Sequence, residues 1–258
     1  MCELLGMSFN LPVTPKISFK GFRKRSEQNP DGWGIAFYPD ESVQVIKEPL
    51  KAAESPLSEF LQDYSGLESK IFIAHVRYSS KGPKSHKNTH PFSRELNGKE
   101  YVFAHNGTID YKSLKLGRFK PIGETDSEYV FCYLLSCIEQ RNISEWEKED
   151  FEWLTEKLQE INRYGKLNCL FSDGELLFSY HNQDGYKGLY FLHREPPYGK
   201  VTLLDEDWAI DLAEEKSTKQ TGYIIATNKL TDEEEWQKFE PGKLRVFKDG
   251  KMIYPDKI

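Results

Sequence analysis

Runs that read as β-strand fill both halves of the chain, and helices do not alternate with them. Residues 3–9 are apolar around Gly6 and open the series, with Pro12 and Pro15 expected to break the strand. Residues 32–38 read as a buried strand, and 42–47 as its hairpin partner, with Val43 and Val45 on one face. Residues 70–78 form a further strand, followed by a loop over 79–91. Another strand covers 100–105 and runs into Asn106-Gly107. Late in the chain, 167–171 and 175–180 flank Ser172-Asp173-Gly174, while 244–247 and 252–254 flank Asp249-Gly250. Both are hairpin signals. Residues 189–192 and 223–227 are short strands between them.

Two helices are clear, and both lie mid-chain. The first carries the apolar run 129–138 and starts at Thr125 or Asp126, because Thr125 and Glu128 have capping-box spacing. The second covers 151–163, with Phe151, Leu154, Leu158 and Ile161 at helical spacing. Shorter helices are expected over 17–25 and 58–64. Residues 193–220 read as a polar surface excursion, with Trp208 and Leu212 placed to pin it. A doubly wound parallel sheet needs a helix after each strand, so this order argues against one. Two stacked, mainly antiparallel sheets flanked by helices fit it, an α+β architecture.

At 258 residues and 38% hydrophobic content the chain can bury a sizeable core, and we expect one domain over 2–258. The net charge of −6 and the scattered positive charges between Lys16 and Arg25 leave no footprint for nucleic acid. No leader pattern and no run of membrane-spanning length is present, which points to a cytoplasmic protein with no membrane partner. The four cysteines, Cys2, Cys132, Cys137 and Cys169, form neither a CxxC nor a zinc pattern, and suit a reducing compartment.

Cys2 is the exceptional one. Once Met1 is removed, it carries a thiol and a free α-amine on one residue, a nucleophile beside its own general base. That amine titrates at about 7.7–8.0, suited to work near pH 7. The ordinary alternative is a small buried residue at the start of a strand. Arg77, Asn106-Gly107 and Asp126 fall at strand ends or helix starts and also have ordinary alternatives: a surface arginine, a turn pair and a helix cap. Together they suit an amino acid amide. A thiolate attacks the amide carbon, and the Asn106 side chain and Gly107 N–H face the oxyanion. Arg77 forks onto an α-carboxylate and Asp126 meets an α-ammonium.

These residues sit in six pieces that resemble the class II glutamine amidotransferases, which are N-terminal-nucleophile hydrolases. The pieces are Cys2, Asp31-Gly32-Trp33-Gly34, Ile73-Ala74-His75-Val76-Arg77, Asn88-Thr89-His90-Pro91-Phe92, Phe103-Ala104-His105-Asn106-Gly107 and Thr125-Asp126-Ser127-Glu128. They occur in the family's order within residues 2–128, and the opening is similar to the stand-alone YafJ-type group. The resemblance implies a four-layer αββα sandwich with no cofactor. It implies Cys2 as nucleophile, Asn106 and Gly107 at the oxyanion hole, and Arg77 and Asp126 as head-group anchors. A further substrate contact would come from Ser79 or Ser80, of which Ser80 is our choice, and His90 would order the loop over the site. His75, His86, His90 and His105 match no zinc spacing, so no metal is expected.

The implied reaction passes through a γ-glutamyl thioester, releasing ammonia and then glutamate. The substrate would be glutamine, with a separate ammonia-accepting synthase subunit as partner. The alternatives are hydrolysis of another γ-glutamyl peptide or amide, or a non-catalytic glutamyl-binding or partner-binding domain if Met1 is retained.

Overall fold

The computed structural model describes residues 2–79, 82–205, 208–215 and 217–255. In chain order the elements begin with β1 (Glu3–Val13), α1 (Lys16–Lys24), β2 (Trp33–Phe37), β3 (Gln44–Glu48), α2 (Pro56–Asp63) and β4 (Ser69–Val76). The middle holds β5 (Phe92–Leu96), β6 (Lys99–Ile109), α3 (Asp126–Arg141), α4 (Lys148–Asn162), β7 (Gly165–Ser172) and β8 (Leu177–Tyr180). The chain then forms β9 (Tyr190–Arg194), β10 (Lys200–Thr202), β11 (Ala209–Asp211), α5 (Leu212–Glu215), β12 (Gly222–Ala226), β13 (Gln237–Lys238), β14 (Leu244–Lys248) and β15 (Lys251–Tyr254).

Among the described residues two large antiparallel sheets result, besides the two-stranded β10–β11 pair. One has seven strands in the order β13-β9-β12-β1-β4-β2-β3, and the other six in the order β15-β14-β8-β7-β6-β5. The period-2 alternation of β1 shows how the layers form. Leu5, Met7 and Phe9 point to one face, where they pack with Phe19 and Phe22 of α1 and Leu61 of α2. Leu4 points to the other face, into a core shared with Ile73 of β4, Ala104 of β6, Leu170 of β7 and Leu177 of β8. Gly6 lets the sheets approach closely: a methyl there would lie 3.0 Å from Leu170 Cδ1. Beyond the second sheet, Phe131 and Leu135 of α3 and Leu154 and Leu158 of α4 cover Phe103, Leu167 and Phe171. This is the αββα sandwich implied above.

Four local expectations are corrected. β1 does not stop at Phe9 but runs through Pro12 to Val13. The register slips between Ser8 and Val13, and such an irregularity tolerates a residue without an N–H. β5 lies where no strand was expected. It pairs with β6 across Asn97 and Gly98, whose φ values of 55° and 79° make the tight turn. β6 continues to Ile109, so Asn106-Gly107 is not a turn but strand, opposite Asn168 and Leu167. Residues 193–220 are more than an excursion: the β10–β11 hairpin and Leu212 of α5 pack against Ile17 of α1. Trp208 is partly buried there, with Lys20 Nζ 4.8 Å from its ring.

Candidate active site

The nucleophile candidate sits at the start of the seven-stranded sheet's central strand. The Cys2 thiol lies against the peptide that leaves β4: the Tyr78 N–H donates to Sγ at 3.1 Å, and Sγ lies 3.2 Å from Tyr78 O. Burial pushes the thiol's pKa up, while the Tyr78 contact and the Arg77 charge pull it down. The balance is upward, so the thiol holds its proton at neutral pH and needs a base to become a nucleophile.

Asn106 reaches across from the second sheet, and its Nδ2 donates to Cys2 O at 2.6 Å. One amide N–H is thus engaged by the nucleophile's own carbonyl, leaving a second for a ligand. Gly107 follows, at a φ of 158°, where any side chain forces its neighbours to shift. A methyl on it would overlap the Lys166 carbonyl and lie 2.6 Å from His105 Nε2. Asp126, buried at the N-terminus of α3, accepts a hydrogen bond from Ile109 N at 2.7 Å through Oδ2. Thr125 caps the helix by accepting from Glu128 N at 3.2 Å. The Glu128 carboxylate does not complete the box; it accepts from Ile122 N and Gly123 N and pairs with Arg94.

Arg77 is buried beneath the loop that follows it. Its Nη2 donates to Ser79 Oγ at 3.1 Å and Gly82 O at 3.2 Å, and its Nη1 to Pro83 O at 3.4 Å. Ser79 N in turn donates to Asp31 Oδ2 at 2.7 Å, and Lys84 pairs with Asp31 at 2.7 Å. Ser80 lies outside the described residues. Four of the sequence's candidate pieces therefore connect directly: Cys2 to the Tyr78 N–H that follows Arg77, Cys2 to Asn106, and Asp126 to the end of Asn106's strand.

His90 stacks between His75 and Phe92, at 4.1 Å and 4.6 Å between ring centroids. It lies opposite Gly34, where a methyl would overlap the His90 carbonyl. His75 and His90 are buried with no hydrogen-bond partner on any ring nitrogen. Burial lowers the pKa of His75 to about 3 and that of His90 well below the usual range. Among the described residues, no three His, Cys, Asp or Glu side chains group as a metal site. No helix there is long and apolar enough to cross a membrane.

Sequence reasoning missed Thr227, whose N–H donates to Leu4 O at 3.1 Å and whose Oγ1 accepts from Leu4 N at 2.8 Å. It fixes the strand two residues past the nucleophile. Its only signal was its place at the end of a clear strand.

Residues 1–257 match the family model described as glutamine amidotransferases class-II. YafJ of Escherichia coli K12 is 38% identical over 98% of this chain and its own full length. An uncharacterised protein of Methanocaldococcus jannaschii is 55% identical over this whole chain and 72% of its own. A solved Pseudomonas aeruginosa structure, described as a predicted glutamine amidotransferase, superposes with a TM-score of 0.72. It is 30% identical and covers 98% of this chain and 99% of that one. The chain belongs to the class II glutamine amidotransferase family, and its sandwich is the N-terminal-nucleophile hydrolase fold of that family. Bacillus subtilis glutamine phosphoribosylpyrophosphate amidotransferase shares the fold at 18% identity, with a TM-score of 0.66.

Proposed function

We propose that the chain, as one domain, is a cysteine amidohydrolase of glutamine that releases ammonia and then glutamate. The observation that carries this is the Cys2 thiol on the Tyr78 peptide with the Asn106 amide on its own carbonyl. With Met1 removed, the freed α-amine takes the thiol proton. The thiolate attacks the side-chain amide carbon, and the oxyanion is met by the remaining Asn106 N–H and the Gly107 N–H. The amine passes the proton to the leaving nitrogen, ammonia departs, and a γ-glutamyl thioester remains. Water, deprotonated by the same amine, then releases glutamate and restores the thiol.

Arg77 would take the α-carboxylate, exchanging the carbonyls of Gly82 and Pro83 for a charged acceptor. Asp126 would take the α-ammonium through Oδ1, because Oδ2 is held by Ile109. The free, buried Cys132, Cys137 and Cys169 support a reducing cytoplasmic setting. The ammonia would pass to a separate synthase subunit.

The test is glutamate release by protein shown by intact mass to lack Met1, against glutamine and a panel of γ-glutamyl peptides and amides. Turnover that vanishes in Cys2→Ala and rises with pH through about 7.7–8.0, as the amine loses its proton, is expected. Preference for a γ-glutamyl peptide over glutamine would replace the substrate and keep the chemistry. Equal activity of Cys2→Ala, or none in the processed wild type, would sink the proposal.

A further inference from the structure

The motif residues His105 and Ser127 have no part in the chemistry above, yet they lie between its two halves. His105 faces α3 from β6, one residue before Asn106-Gly107. Ser127 is the second residue of α3, one after Asp126. His105 Nδ1 lies 2.9 Å from Ser127 Oγ, and His105 Nε2 lies 2.9 Å from Lys166 O on β7. A carbonyl oxygen only accepts, so Nε2 carries the proton. Nδ1 is then the acceptor, and the Ser127 hydroxyl is the donor. All three elements are locked by one neutral imidazole that is 1% exposed. The next bond in the series is Asp126 Oδ2 with Ile109 N, so the first two residues of α3 both tie to the final residues of β6.

We infer that His105 and Ser127 are positioning residues that hold the oxyanion donors and the ammonium anchor in one fixed register. This rests on the roles proposed for Asn106, Gly107 and Asp126. The distance from head group to side-chain amide is set by the substrate's covalent skeleton. The distance from Asp126 to the Asn106-Gly107 segment must therefore be set by the protein. Hydrogen bonds along β6 alone do not set it, because α3 joins the sheet through side chains. The Ser127–His105 bond supplies that link, and the Lys166 bond stops the imidazole from turning. Asp126 bonded to Ile109 could still pivot about that single contact; a second tie, four residues back along the strand, removes the pivot.

A packing role alone would cost stability and leave the kinetics of folded molecules unchanged. A register role shifts both anchors against each other, so it raises KM and lowers kcat together, each by about 10-fold for a sub-ångström misplacement. The experiment compares wild type, Ser127→Ala and Ser127→Thr, all with Met1 removed, using the best substrate of the glutamyl panel. Melting temperature and the rate of Cys2 alkylation by iodoacetamide are measured alongside. Iodoacetamide needs neither anchor, so its rate reports the thiol alone.

The expected result is a coupled kcat and KM defect in Ser127→Ala with unchanged alkylation, and recovery in Ser127→Thr, which keeps the hydroxyl. Wild-type kinetics in Ser127→Ala would overturn the inference. So would a loss that follows the unfolded fraction or falls equally on alkylation, and so would failure of Ser127→Thr to recover. If processed wild type turns over no γ-glutamyl compound, the functional reading fails and this inference falls with it. If wild type is active and Ser127→Ala matches it, only the inference fails.

Discussion

Adding one methyl group at Gly107 tests the link between strand packing and chemistry. In Gly107→Ala the new carbon overlaps the Lys166 carbonyl and lies 2.6 Å from His105 Nε2, where real side-chain carbons stay beyond 3.0 Å. Neither neighbour yields easily, since one is backbone in the β6–β7 ladder and the other is held by Ser127. β6 has to move by about 1 Å at Gly107, and a displacement of that size costs on the order of 100-fold in rate. Overpacking of this kind costs about 1–3 kcal/mol of stability, and the positive φ of 158° adds about 1 kcal/mol. At roughly 2–4 °C per kcal/mol for a chain of this size, the melting point falls by no more than about 16 °C. The protein therefore stays folded at 25 °C while kcat/KM falls about 100-fold. The assay is glutamate release alongside thermal unfolding. Gly98→Ala is the control, because a methyl there meets nothing within 4 Å, although its φ of 79° still costs about 1 kcal/mol. Wild-type kcat/KM in Gly107→Ala, or an equal loss in Gly98→Ala, would refute the reasoning.

Three other outcomes are expected. His75, with its pKa lowered to about 3 by burial first and by the charges of His105 and Arg77 next, is neutral in the folded state and takes up a proton on unfolding below about 6.5. The unfolded chain thus binds more protons in that window, so stability is full above pH 6.5 and is lost as pH falls. Between pH 7 and 5 the loss is about 2 kcal/mol for this residue, and urea unfolding of His75→Leu should show a shallower slope. Glu128→Ala strands Arg94 and the N–H groups of Ile122 and Gly123, and should cost about 3 kcal/mol in the same assay. Arg77→Met should raise KM for glutamine far more than it lowers kcat, because in the proposed reading Arg77 takes the α-carboxylate at the substrate's unreacting end.

Much of the sheet was legible because its buried strands are written in apolar runs that only a sheet core explains: 70–76 lies within β4, which ends before Arg77 and Tyr78, and 167–171 lies within β7. β5 was not legible. Ser93, Arg94 and Glu95 carry no apolar period, because this edge strand buries only Phe92 and Leu96 at its ends. The Asn97-Gly98 turn was its one available sign. The hairpin over 200–211 was hidden for a similar reason: its strands are three residues long and depend on α1 for their core. At the site, the candidates were readable as residue types at strand ends, but their connections were not. Nothing in the sequence says that Asn106 would bond the Cys2 carbonyl from the opposite sheet, or that Arg77 would lie beneath its own loop. The first is a long-range fact set by how the two sheets stack, and the second depends on how the loop after Arg77 folds back over it. The capping pattern at Thr125 named the right helix start, but only one of its two bonds forms, because Arg94 on β5 and the backbone before α3 draw Glu128 away.

The pairing of β1 also carries a consequence in time. Leu5 pairs with Ala74 on one side and with Ala226 on the other. During synthesis at about 5–20 residues per second, the partner on β12 is made roughly 10–45 s after β1. Until then the strand that follows Cys2 has an open edge, and Thr227, which clamps Leu4, does not exist. The Cys2 thiol is thus made well before the strand that completes the pairing beside it. A chain cut short before β12 has the candidate nucleophile without its mount, so the proposed site is complete only once β12 has been made.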